Sequence, residues 1–521
     1  MPFMTNLPLD ILLVVALISG ILLGYPVSFT LAGTATIFAV LGFITGSFDM
    51  TLLGAFGQRT FGLLTNHVLI AIPLFVLMGV ILEKSKIAEE LLETMGRLFG
   101  RVRGGLGISV ILVGALLAAS TGIVGATVVA MGLIALPTML RNNYDPKLAC
   151  GIVCTSGTLG QIIPPSTLLI ILTDVMSNSY QQAQYTKGQF TIDTISVGQM
   201  FAAALIPGLV LVSVYLVYLI IRSWISPDVA PALTGEEFSK PTPVEVTRAV
   251  VPPIVLIIAV LGSILAGIAT PSEAASVGAI GAVLMAGARL GGPARLMILG
   301  TVALVALATV AGIAPVRLQR SDAGLNEWLI GSVCIGLALF GCYAIFRALR
   351  HMLKDKLLGD ILSSTMVVTS MIFATILTAS MFSLVFIGLG GEERIEWVIT
   401  AMPGGATGAL IFSMALIFLL GFFLDFVEIS VILLPLICPT LILMGHDPVW
   451  LSILIAINLQ TSFLTPPFGF SLFYLRGAAP PEVSTGQIYR GVAPFIVLQV
   501  IGMAILWFVP GLATYLPKIV F

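Results

Sequence analysis

The chain has 521 residues, 58% of them hydrophobic and 9% charged, with a formal net charge of −1 and a mean hydropathy of +1.10. Soluble domains carry roughly 25% charged residues, so this composition excludes a water-solvated globule, and the balanced charge excludes a nucleic-acid footprint. The five cysteines (Cys150, Cys154, Cys334, Cys342 and Cys438) lie mostly in apolar runs without a partnering His or second Cys pair. They read as small buried hydrophobes rather than metal ligands or disulfides.

A bilayer crossing takes about 20 mostly apolar residues. In chain order the apolar runs predict full spans at 9–24, 28–46, 68–83, 145–176, 197–222, 250–267, 270–288, 298–315, 327–347, 361–388, 448–475 and 493–515, about 12 in all. The first lacks a basic flank and a small-residue cleavage site and reads as a retained span. Over 83–104, Ile87, Leu91, Met95, Leu98 and Phe99 recur at helical spacing among Lys84, Lys86, Glu90, Glu93 and Arg97. That pattern predicts an amphipathic helix lying in the membrane interface. The polar stretch 177–194 is expected to be an external loop, and 223–249 a cytoplasmic connector.

Two apolar blocks, 104–140 and 405–443, do not fit single spans. The first carries turn-forming residues at its middle, Ser120-Thr121-Gly122 through Gly125, and the second is interrupted at Gly421 to Glu428, with Asp425 inside. Lys84, Lys86, Arg97, Arg101 and Arg103 precede the first block, and Arg141 and Lys147 follow it, so both its ends are expected in the cytoplasm. Leaving and returning on one side makes it a re-entrant hairpin; a pair of full spans is the competing reading. The second block is flanked by Glu392, Glu393, Glu396 and Asp447, with Arg394 alone, which suits the opposite face. Seven spans separate the two blocks, an odd number, so the second hairpin opens on the other side.

The blocks belong to a longer duplication. Pro137-Thr138, Asp145-Pro146 and Pro164-Pro165 recur as Pro439-Thr440, Asp447-Pro448 and Pro466-Pro467, and 439 − 137, 447 − 145 and 466 − 164 all equal 302. Proline removes a backbone donor and clashes with the preceding turn, so the same helix is broken at the same place twice. Duplicated halves with interrupted helices mark a secondary transporter whose site lies at the repeat interface. The expected fold is therefore an all-α inverted-repeat membrane protein. Residues 1–222 form the first repeat and 250–521 the second, with 289–354 as an extra two-span insert.

In hydrocarbon, backbone that leaves a helix must be buried in protein or line a wet cavity. Four places qualify: the two hairpin tips, and the breaks through Ser156, Gly157, Thr158, Gly160, Pro164, Pro165 and Ser166 and through Asn458, Thr461, Ser462, Thr465, Pro466, Pro467 and Gly469. Freed carbonyls and hydroxyl or amide oxygens suit Na⁺, expected near Ser120, Ser156, Thr158, Asn458 and Thr461. Helix N-termini restarting after the prolines suit an anion. The bland alternative is that Gly, Ser and Thr only allow close helix packing. Asp425 is a functional candidate as an intramembrane acid, against the alternative of a solvated loop acid. Glu273, after Thr270-Pro271-Ser272, reads as a helix-capping residue.

These residues carry a resemblance. Ala135-Leu136-Pro137-Thr138, Asp145-Pro146, the run Gly157 to Ser166, Ala269-Thr270-Pro271-Ser272-Glu273, Phe423-Leu424-Asp425 and Leu464 to Gly469 are similar to the large, DctM-type membrane subunit of tripartite ATP-independent periplasmic (TRAP) transporters. The resemblance covers about 9–288 and 355–517; residues 289–354 depart from the pattern. It implies Na⁺-coupled import of an organic acid across a bacterial inner membrane, with an elevator-type movement and no cofactor besides the coupling ion. It also implies a small four-helix membrane subunit and a periplasmic substrate-binding protein. A stand-alone carboxylate or ion transporter, a passive channel and an intramembrane hydrolase are the competing functions. The hydrolase is disfavoured because no His-Glu-x-x-His pattern occurs and no facing acid pair is legible.

Overall fold

The structure is a computed structural model that describes residues 8–121, 124–189, 191–233, 240–313 and 325–521. Among the described residues every regular element is helical. The chain begins with α1 (Leu9–Leu22), α2 (Val27–Ile44), α3 (Gly54–Leu64), α4 (Ala71–Lys84) and α5 (Ile87–Phe99). Helix α3 was not legible: its run of Gly54, Gly57, Arg59 and Gly62 has no apolar period, and none of its residues is buried. Helix α5 is the amphipathic helix expected over 83–104, burying Ala88, Leu91, Leu92 and Met95. Leu98, expected on that face, is instead exposed. Two ion pairs hold α5 against the second half, Arg289–Glu90 at 2.6 Å and Arg97–Glu245 at 3.4 Å.

Next come α6 (Gly105–Thr121) and α7 (Val124–Arg141), which pack on each other as the arms of the first hairpin. The arms have 17 and 18 residues. The first broken helix follows as α8 (Pro146–Thr158), a 3-10 turn over Leu159–Gln161, and α9 (Thr167–Thr186). Helix α9 continues ten residues past 176, where a loop was expected. Its Gln-Gln-Ala-Gln stretch holds no Gly or Pro, and the chain turns only at Gly188, with φ +72°. Helix α10 (Val197–Ile225) closes the half, its first turn locked by a reciprocal capping box between Ser196 and Gln199.

The second half runs through α11 (Pro243–Leu265), α12 (Pro271–Arg289), α13 (Ala294–Ile313), α14 (Leu325–Lys354) and α15 (Leu357–Gly388). Glu273 caps α12 as expected, accepting from the Thr270 N–H at 2.8 Å. A short helix, α16 (Gly391–Thr400), occupies the acidic flank. Its Arg394 pairs with Asp10, a buried carboxylate on α1. The second hairpin is α17 (Gly405–Leu420), α18 (Phe426–Ile432) and α19 (Leu434–Leu443). The last two are bent by 58°. Pro435 stands at that bend, whereas the register of 302 puts Leu133 at the matching place in α7 (435 − 302 = 133), which stays one helix. The second broken helix is α20 (Pro448–Leu464) with α21 (Phe470–Ala478), followed by α22 (Thr485–Phe508) and α23 (Gly511–Val520). The span expected at 493–515 therefore ends earlier: Pro510 stops α22 and a separate helix begins.

Seven helices among the described residues join 18 or more residues to membrane-like hydropathy: α2, α7, α10, α11, α14, α15 and α22. Of the other expected spans, 145–176 and 448–475 are split at their proline breaks, and α1 and α4 have 14 residues each. Packing exchanges the halves. Arm α7 lies on α21 as well as on α8, and arm α19 lies on α9 while α17 lies on α20, so each hairpin touches the broken helices of both halves; α8 also packs along α22. One continuous apolar cluster joins these helices. A second gathers α1, α2 and α15, and a small third joins α12, α13 and α14.

Candidate ion and substrate site at the paired helix breaks

Both breaks have one cause and one repair. Pro165 and Pro467 have no N–H to give to the carbonyls four residues earlier, those of Gln161 and Phe463. In each case a serine beyond the break supplies the missing donor. Ser166 Oγ donates to Gln161 O at 2.8 Å and Ser471 Oγ donates to Phe463 O at 2.7 Å. The two carbonyls are 463 − 161 = 302 residues apart, the repeat register. Ser166 also caps α9, accepting from the Leu169 N–H. Pro164, Pro165, Gly160 and Ser166 are buried, whereas Pro467 is exposed; Thr465 Oγ1 donates to Thr461 O at 2.7 Å.

The first hairpin closes on α8. A Cβ on Gly114 of α6 would lie 2.5 Å from Ser156 Cβ, and one on Gly157 would strike the side chain of Val128 on α7. Gly125 lies beneath the ring of Tyr474 on α21, 2.8 Å from a virtual Cβ. The second hairpin closes on α20 in the same manner. A Cβ on Gly421 would run into Ser462, and Asn458 Nδ2 donates to Met414 O of α17 at 2.8 Å. Gly469 is equally constrained, a Cβ there meeting Phe463 O at 2.5 Å.

The five residues expected around Na⁺ are thus distributed. Ser156 lies on the first-hairpin side, and Asn458 and Thr461 on the α20 side. Thr158 stands between them, accepting from Gln460 Nε2 at 3.4 Å, again across 302 residues. Ser120 and Thr121 fall in the last turn of α6 with side chains outside the described residues, as is Gly122. The hydroxyls of Ser156, Thr158, Thr461 and Ser462 each donate to a carbonyl of their own helix, at 2.7 to 3.0 Å. Spending the proton on the backbone leaves the oxygen lone pairs for a cation. Among the described residues no three of His, Cys, Asp and Glu come together, so a cation here would rest on neutral oxygens.

Asp425 has a definite local task. Its Oδ1 accepts from the Phe426 N–H at 2.7 Å, and Glu428 Oε2 accepts from the Asp425 N–H at 2.9 Å, a capping box that starts α18 at the hairpin tip. Sequence reasoning missed Gln161, Gln460, Thr155, Ser413 and Ser430, all buried. It also missed Asp174 on α9, which accepts from Asn66 Nδ2 at 2.7 Å. The available signal was a polar side chain inside an apolar run.

The family described as "Tripartite ATP-independent periplasmic transporter, DctM component" matches residues 14–512. The C4-dicarboxylate TRAP transporter large permease protein DctM of Vibrio cholerae is 25% identical, with 98% of this chain and 97% of that protein covered. The ectoine TRAP transporter large permease protein TeaC of Halomonas elongata is also 25% identical, over 98% and 99%. In fold, the chain is similar to the crystal structure of the Alcanivorax borkumensis YdaH transporter, with a TM-score of 0.53 at 14% identity, covering 98% and 99% of the two chains. The chain belongs to the DctM component family of tripartite ATP-independent periplasmic transporters, and is a multi-pass protein of the inner membrane.

Proposed function

We propose that this chain is the permease subunit of a Na⁺-coupled transporter that imports an organic acid delivered by a periplasmic binding protein, in complex with a small four-helix membrane subunit. The observation that carries the reading is the pair of matched breaks, each clasped by a hairpin and touching at Thr158 and Gln460. Broken helices meeting between two repeats are how such transporters build a site at mid-membrane. In this reading 1–222 and 250–521 are inverted repeats joined by 223–249, and the hairpins open on opposite faces. The hairpins and broken helices move as an elevator against the scaffold of α1, α2, α11, α12 and α15, and 289–354 adds two crossings at the scaffold edge. The carboxylate class is supported by the helices that restart after each break and by the C4-dicarboxylate relative.

The test is uptake into proteoliposomes containing this chain and its small subunit, with the purified binding protein outside. Uptake should need both the binding protein and an inward Na⁺ gradient. Alanine at Ser120, Ser156, Thr158, Asn458 or Thr461 should raise the Na⁺ concentration for half-maximal rate. Uptake that proceeds without the binding protein, or with unchanged Na⁺ dependence in all five variants, overturns the reading. Identifying the ligand that co-purifies with the binding protein would name the substrate.

A further inference from the structure

Helix α8 and the 3-10 turn after it carry Thr155, Thr158 and Gln161, three residues apart each time. In a 3-10 turn positions i and i+3 eclipse, so Gln161 falls in line with Thr158, while Thr155 neighbours Thr158 at i, i+3 spacing on the α-helix before it. All three are 0% exposed, as is Gln460, which reaches Thr158 from α20. In this row Thr155 Oγ1, Gln161 Oε1 and Nε2, and Gln460 Oε1 are buried without a hydrogen-bond partner. Each such atom carries an uncompensated desolvation cost that an apolar residue of similar shape would remove. The second half has taken that option at one place: the match of Gln161 is Phe463 (463 − 161 = 302), packed between Phe426 and Phe470.

The unpartnered atoms are mostly neutral oxygens and come from both halves. No carboxylate joins them, which disfavours a divalent hard cation, and no thiolate or imidazole, which disfavours zinc. Thr158 sends its proton to Thr155 O at 2.9 Å and so presents oxygen lone pairs to the row. We propose that Thr155, Thr158, Gln161 and Gln460 together hold a monovalent cation at the contact between the two halves. The row shares Thr158 with the oxygens considered above but is otherwise separate. Ser156 faces Gly114 on the neighbouring side of α8, and Asn458 gives its amide to Met414 O. A cation on Gln161 Oε1 leaves the unpartnered Gln161 Nε2 as a donor for the carboxylate that travels with it. That last role rests on the function proposed above; cation binding does not.

The experiment is thermal unfolding of the purified full chain in nanodiscs, titrated with NaCl against choline chloride, for wild type and for Thr155→Val, Gln161→Met and Gln460→Met. The wild-type midpoint should rise with Na⁺. Each variant should need at least tenfold more Na⁺ for half the shift, or lose the shift, while its midpoint in choline stays level or rises. Thr155→Val changes shape least and keeps the test valid if a glutamine variant fails to fold. Variants that gain stability in choline yet keep the wild-type Na⁺ titration would show a row of buried polar groups with no cation and overturn the proposal. So would a wild type that shows no Na⁺-dependent shift. If the titrations behave as expected while uptake needs no Na⁺ gradient, the coupled-import reading fails and the site stands.

Discussion

Alanine at Gly421 tests whether the seating of the second hairpin tip on α20 sets ion affinity. Gly421 closes α17 with φ −64° and ψ −5°, a conformation open to any residue, so the substitution adds no backbone strain. The cost is steric. A Cβ there would lie 2.8 Å from Ser462 Cβ, closer still to Ser462 Oγ, and 3.3 Å from Ile417 O. Ser462 has little room to yield, since it is fully buried and its Oγ donates to Leu459 O at 2.8 Å. Overpacking of this kind costs about 1–3 kcal/mol, partly offset by up to about 1 kcal/mol of helix propensity. A net loss of about 1–2 kcal/mol is roughly a five- to thirtyfold change in an equilibrium constant. Half-maximal uptake by Gly421→Ala should therefore require roughly five- to thirtyfold more Na⁺, with the rate at saturating Na⁺ little changed. Wild-type Na⁺ dependence in Gly421→Ala refutes the argument.

Single cysteines at Arg141 and His446 should label from opposite sides of the membrane with an impermeant maleimide; labelling of both from one side would remove the opposed hairpins. Asp425→Asn keeps a cap acceptor and should retain most uptake, whereas Asp425→Ala should lower the thermal midpoint, since losing an N-cap costs about 0.5–2 kcal/mol. Equal and complete loss in both would mean that the charge, not the cap, is required. Removing 289–354 with a short linker should leave an inserted protein with unchanged accessibility at His446, because two crossings preserve direction; reversed accessibility would show that α13 and α14 are not a simple pair of crossings.

Much of this protein was legible in its chain. Composition dictates a bilayer solvent, and the paired prolines mark the segments where both helices break, because a missing N–H acts locally whatever surrounds it. The cap at Glu273 and the amphipathic face of α5 are local in the same sense. Other features depended on neighbours. Helix α3 lacks an apolar period, and α9 outlasts its apolar run because nothing in the polar stretch stops a helix before Gly188. Nothing in the sequence pairs α7 with α21 or α19 with α9, brings Thr158 to Gln460, or sets Gly421 against Ser462. The unpartnered glutamines read as ordinary residues of an apolar run until packing seals them from every donor. Local backbone rules decide where a helix must stop, whereas burial, on which the value of a polar atom depends, exists only once distant segments have closed around it.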